Sequence, residues 1–153
     1  MALYLVQHGV SLSREDDPER GLSEEGAAEV KQIAAQASGN GVKVDAIRHS
    51  GKKRARQTAE ILAKALEPSD GVREMDGLKP MDDVTAIAGK FRGDENVMLV
   101  GHLPFMARLA GYLLAGSAES QVVKFQNAGI VCLVQDPESL AWMIGWMFVP
   151  RYE

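Results

Sequence analysis

The stretch ALYLVQHGV, residues 2–10, decides how this chain is read. Leu3 to Gln7 forms a short apolar run suited to a strand buried on both faces, and the polar stretch Ser11 to Gly21 after it reads as a loop. The same grammar returns in NVMLVGHLP, residues 96–104. There a strand near Asn96 to Val100 runs into a helix with Pro104 at its first position and Phe105, Leu109, Ala110, Leu113 and Leu114 along its apolar side. Each strand is followed by a histidine with a glycine beside it, His8 with Gly9 and His102 with Gly101.

Outward from these strands the pattern alternates. Ser23 is a helix N-cap, followed by Glu24 and Glu25 at the positive end of the dipole and by Val30, Ile33, Ala34 and Ala37 at helical spacing, up to the Gly39/Gly41 stop. A strand near Asp45 to Arg48 leads into a helix from about Gly51 to Leu66, with Ala55, Thr58, Ala59, Leu62, Ala65 and Leu66 on one face and Pro68 ending it. Val72 to Pro80 reads as a linking segment, and Asp82 to Phe91 as a modest helix. Residues 130–135 and 140–149 flank the turn-like DPES as a β-hairpin. The expected fold is α/β: a three-layer α/β/α sandwich with a mostly parallel sheet and a C-terminal β-hairpin, formed by one domain over residues 1–153.

Composition narrows the function. With 153 residues, 46% of them hydrophobic, the chain can bury a core, and a formal charge of -4 argues against nucleic acid or an anionic membrane as partner. Leu140 to Val149 is too short to span a bilayer and MALYLVQHG lacks a secretory pattern, so a cytoplasmic location is expected. Cys132 is the single cysteine and reads as a buried small hydrophobe. No HxH, HExxH, paired-cysteine, Walker A or GxGxxG spacing occurs, so neither a metal nor a nucleotide cofactor is expected.

The histidines fall where α/β sheets build sites, beyond the carboxyl ends of strands. SGKKRARQTAEIL, from Ser50, adds Lys52, Lys53, Arg54 and Arg56 at a helix start, where cations oppose the dipole unless an anion sits among them. Spacing alone leaves open which arginine faces inward.

These motifs carry a resemblance. LYLVQHG resembles the LxLVRHG signature of the histidine phosphatase (phosphoglycerate mutase-like) superfamily, SGKKRARQTAEIL its SxxxRAxQTAxxL helix, and VMLVGHLPFMARL its VGHxP motif. The short length, GLSEEG, GLKP, GHLP and QNAGI before the hairpin resemble its SixA branch of phosphohistidine phosphatases. The resemblance implies that His8 is the phosphorylated nucleophile, His102 the second pocket histidine and Arg54 a phosphate-binding arginine. Gln7, Gly9 and Leu103 complete the phosphate-binding set.

Gln7 departs from the pattern, because the superfamily has a phosphate-binding arginine there. Lys52, Lys53, Arg48 and Arg14 are candidates for replacing its charge. If none does, Gln7→Arg should raise activity.

The expected substrate is a phosphorylated protein, such as a histidine phosphotransfer domain, with phosphate as product. A general phosphomonoesterase is the alternative, in which Glu74, Asp76, Asp82 or Asp83 would protonate the leaving group, although each reads as a surface acid. A phosphohistidine-binding pseudo-enzyme weakened by Gln7 is the other. One neutral and one protonated histidine predict a bell-shaped pH profile.

Overall fold

The computed structural model describes residues 1–91 and 94–151. Its elements run β1 (Ala2–Gln7), α1 (Glu24–Gly39), β2 (Ala46–His49), α2 (Lys53–Leu66), β3 (Val72–Glu74), α3 (Val84–Ala88), β4 (Val97–Gly101), α4 (Phe105–Ala115), β5 (Ile130–Gln135) and β6 (Trp142–Phe148). They build a six-stranded sheet in the order β3-β2-β4-β1-β5-β6. The first four strands of that order are parallel, and β5 and β6 join antiparallel as the expected hairpin.

β1 shows why the sheet sits between helices. Its side chains alternate in direction, so Tyr4 and Val6 pack with Val30, Ile33, Ala55, Ala59 and Leu62 of α1 and α2. Leu3 and Leu5 pack on the opposite face with Ile87, Phe105, Met106 and Leu109 of α3 and α4. All four of these β1 side chains are buried. Burial of each leucine contributes roughly 1.5–3 kcal/mol, which makes this strand intolerant of charge on either face.

Three details differ from the sequence reading. Val72–Glu74 is a short strand paired in parallel with β2, where a linking segment was expected. It has three residues, with only Val72 packed against the core, too little for periodicity to register. The expected helix over Asp82 to Phe91 is only Val84–Ala88, because Asp83 caps it by accepting from the Thr85 N–H and Gly89 ends it. Pro104 stands one position earlier than expected, at the N-cap of α4. Elsewhere the signals hold: Ser23 caps α1 by accepting from the Gly26 N–H, and Cys132 is buried in β5.

The topology creates one crevice. β1 and β4 are parallel neighbours, yet α1, which follows β1, covers one face and α4, which follows β4, covers the other. The two connections therefore part at the carboxyl ends of these strands, where an open α/β sheet binds its ligand. Gln7 lies opposite Gly101 in the register, so His8 and His102 leave the sheet side by side at that point.

Candidate active site

The His8 and His102 rings lie with centroids 5.1 Å apart and planes tilted by 54°. His8 is anchored through its backbone, whose N–H donates to Gly101 O and whose carbonyl accepts from Asn127 Nδ2. Its ring Nδ1 lies 2.6 Å from the Gly9 carbonyl. A carbonyl only accepts, so Nδ1 carries the proton and Nε2 keeps a lone pair. Burial is the largest influence on the His8 pKa. Against the Gly9 carbonyl bond that raises it, and with smaller help from the charges of Arg54 and Arg20, burial lowers it to about 4 and holds the ring neutral.

Gly9 permits this geometry. A Cβ there would meet Val30 Cγ2 at 2.8 Å, and its N–H is already donated to Thr58 Oγ1. Thr58 in turn donates to Arg54 O, which ties the first turns of α2 to the end of β1.

His102 is buried, and its Nε2 lies 2.6 Å from Ser50 Oγ. Ser50 falls into place because His49 pairs with Val100 in the register, which puts the residue after β2 beside the end of β4. Desolvation lowers the His102 pKa to about 3, with smaller contributions from His8, Arg54, Lys52 and Arg20. A neutral His102 that accepts from Ser50 at Nε2 carries its proton on Nδ1, ready to donate. His102 Nδ1 is buried without a partner, as are Arg54 Nε and Gln7 Oε1. Of the four such orphaned side-chain atoms among the described residues, only Arg108 Nε belongs elsewhere. Native interiors rarely leave polar groups unpaired, and the two donors among them, Arg54 Nε–H and His102 Nδ1–H, suit a ligand rich in acceptor oxygens.

The start of α2 supplies positive charge. Lys52 occupies its N-cap without a side-chain capping bond, and no acid stands in its first turn. Gly51, at φ +89, makes the turn from β2 into this helix in a conformation that favours glycine, with the Glu74 carboxylate packed against it. Arg54 is half-buried beside the histidines, whereas Arg56 is exposed and reaches Glu60 at 3.7 Å. The structure thus separates two arginines that the sequence left unordered.

Two of the cations considered as replacements for the missing arginine are already engaged. Arg48 pairs with Asp70 at 2.7 Å and Lys53 with Asp17 at 2.9 Å. Gln7 and Leu103 line a separate cleft with Phe125, Gln126 and Asn127. Leu103 is exposed there, immediately after His102.

Among the acids, Asp83 caps α3 and Asp82 accepts from the Lys79 N–H, while Asp76 is exposed. Glu74 ends β3 at the same edge of the sheet as the site. His49 is satisfied locally, its Nδ1 accepting from the Gly51 N–H.

Sequence reasoning passed over Thr58 as anything but core, and gave Ser50, Asn127 and Arg20 no role. The QNAGI and RHS contexts contained the first two of these, but only strand register shows what they touch.

An α/β/α sandwich with paired histidines at its switch point and an uncapped basic helix start defines a phosphate-handling enzyme. The histidine phosphatase superfamily (branch 1) profile matches residues 3–84, and the chain belongs to that superfamily of phosphatases. It is 32% identical over 142 residues to an uncharacterized protein of Picosynechococcus sp., across 87% of this chain and 84% of that one. Among solved structures, the fold is similar to that of the protein histidine phosphatase SixA complexed with tungstate. The TM-score is 0.85 at 24% identity, over 98% of this chain and 97% of SixA. The phosphoserine phosphatase of Entamoeba histolytica shares the fold at a TM-score of 0.72 and 15% identity, over 97% and 96% of the two chains.

Proposed function

We propose that this phosphatase removes phosphate from a phosphohistidine on another protein, through a covalent phosphohistidine at its own His8. The observation that carries the reading is the state of His8, whose Nδ1 is pinned to the Gly9 carbonyl while burial keeps the ring neutral. A nucleophile needs an available lone pair at working pH, and Nε2 has one.

In the first step Nε2 of His8 forms a bond to phosphorus as the bond to the substrate imidazole breaks, and the departing nitrogen takes a proton from water. In the second step water attacks phosphorus, the bond to His8 breaks with its electron pair returning to Nε2, and the proton released by that water neutralises the hydroxide left by the first step as inorganic phosphate leaves. Arg54, the N–H groups opening α2 and His102 Nδ1–H stabilise the equatorial oxygens, so catalysis consists mainly of positioning and charge stabilisation. Gly9 lets the chain approach closely, and Gln7 and Leu103 line the adjoining cleft, where the polypeptide that bears the phosphohistidine would lie. Imidazole is a better leaving group than an alkoxide, which relaxes the need for a dedicated acid and suits a site where Asp82 and Asp83 are committed to local turns.

The test offers the protein a histidine phosphotransfer domain bearing phosphohistidine, with p-nitrophenyl phosphate and phosphoserine in parallel. Faster release from phosphohistidine, with an acid-labile, alkali-stable label trapped on His8, supports the proposal. Preference for phosphoserine would replace it with the phosphomonoesterase reading, for which Glu74 is the acid to mutate.

A further inference from the structure

We infer that Arg20 is the second guanidinium of the phosphate pocket, supplying the charge that Gln7 lacks. The inference rests on the phosphatase reading above. A cavity of about 290 Å³ opens beside the start of α2, with Arg14, Arg20, Lys52 and Arg54 on its wall. Lys53 and Glu19 also line it, but they lie 3.9 Å apart and offset each other, with Asp17 on Lys53 as well. Arg14, Arg20, Lys52 and Arg54 have no ion-pair partner among the described residues. Clustering unpaired cations is unfavourable in a folded protein, and an anion with several oxygens relieves it.

Arg20 is distinguished from the others by how it is held. It is half-buried, while Arg14 and Lys52 are exposed. Its backbone adopts φ +53, a left-handed conformation that side-chain-bearing residues seldom take. The loop enforces that conformation: the Arg20 N–H donates to Asp17 O, while the Asp17 carboxylate accepts from the N–H groups of Glu19 and Gly21. Among the described residues the guanidinium itself makes only a long 3.4 Å contact to Ser11 Oγ, so its other donors are available.

Its charge acts on His8, Arg54 and His102 alike, whereas that of Arg14 is felt at Arg54 alone among these three. With Arg48 and Lys53 engaged elsewhere, Arg20 is the half-buried cation left to face Arg54 across a bound phosphoryl group. Gln7 is thereby released to line the other cleft.

The test measures the affinity of the purified full chain for inorganic phosphate by calorimetry. Arg20→Gln should weaken binding about tenfold or more, and Arg20→Lys should recover part of the loss, since charge is kept and the planar fork is not. Gln7→Arg alone should leave affinity unchanged or lower, because it crowds a site already supplied with two guanidiniums. In the Arg20→Gln background the same substitution should tighten binding. That reversal of sign separates a direct role from damage to the loop, which a new arginine at position 7 would not repair.

Arg20→Gln binding phosphate as wild type does would overturn the inference, as would Gln7→Arg tightening binding equally in both backgrounds. A wild-type protein that binds phosphate but leaves phosphohistidine uncleaved would remove the functional reading and keep Arg20 in the pocket. No phosphate binding by wild type would remove both.

Discussion

Two clefts of different character open near His8: Arg54, whose charge acts on its ring, lines one, and Gln7, the residue before His8, lines the other. One is walled by Arg14, Arg20, Lys52 and Arg54 at the start of α2. In the other, Gln7, Leu103, Phe125, Gln126 and Asn127 present amides and apolar surface, with Lys124 and the 3.2 Å ion pair of Glu29 and Arg151 also lining it. Under the proposed function the difference gives them different parts of one substrate. On that reading the phosphoryl oxygens, which carry charge, belong with the arginines, and the polypeptide that bears the phosphohistidine belongs with the amides and Leu103. An arginine at position 7 would have extended the charge into the second cleft, while Gln7 keeps the boundary sharp.

The strongest way to break this comparison is to remove the group at the boundary. His8→Ala should abolish turnover and phosphoenzyme formation, and wild-type turnover in that variant would falsify the covalent mechanism. His102→Ala should lower kcat by about 100-fold or more, the scale for loss of a preorganised donor, with the fold intact by circular dichroism. Full activity would make its bond to Ser50 purely structural.

Arg54→Ala tests the cationic side and should weaken phosphate or vanadate binding by roughly tenfold or more, the scale of a lost charge-assisted bond. Arg56→Ala, whose partner is Glu60 in solvent, should change it little. The reverse order in a titration would turn the start of α2 by half a helical turn.

Acid probes both sides at once. His8 and His102 titrate near 4 and 3 in the folded protein, against 6.5 for an ordinary histidine. As pH falls from about 6.5 toward 4 the unfolded chain binds protons that the folded one refuses, so stability rises with pH across that window and is lost below it. Urea unfolding at pH 4.5 should show a lower midpoint than at pH 7. For kcat/KM of the free enzyme the bell expected from sequence gives way to a level profile between about pH 5 and 8, with loss only near pH 4 as His8 takes up a proton. An acid limb centred near 6.5 would show that the rings are solvated.

The smallest effect belongs to the amide-lined cleft. Leu103→Ala should raise KM for a phosphoprotein about three- to tenfold, as expected for loss of a half-exposed apolar contact, and leave p-nitrophenyl phosphate kinetics unchanged. Equal effects on both substrates would place Leu103 at the phosphate and not at the protein.

The sequence alone determined the elements whose signals are local. The buried β1 and β4, the Ser23 cap, the start of α2 and the C-terminal hairpin follow from apolar runs, capping chemistry and turn residues, and the paired histidines follow from what stands next to those strands. β3 was illegible because three residues on a sheet edge carry too little pattern, and α3 was overestimated because its cap lies inside the stretch that reads as helix. Tertiary structure alone decided which charges meet. Strand register set Ser50 against His102, a hydrogen-bonded loop turned Arg20 toward residues far along the chain, and ion pairs removed Arg48 and Lys53 from contention. A charge acts through space, and the distances that govern its action are set by the path of the backbone, which a list of residues does not contain.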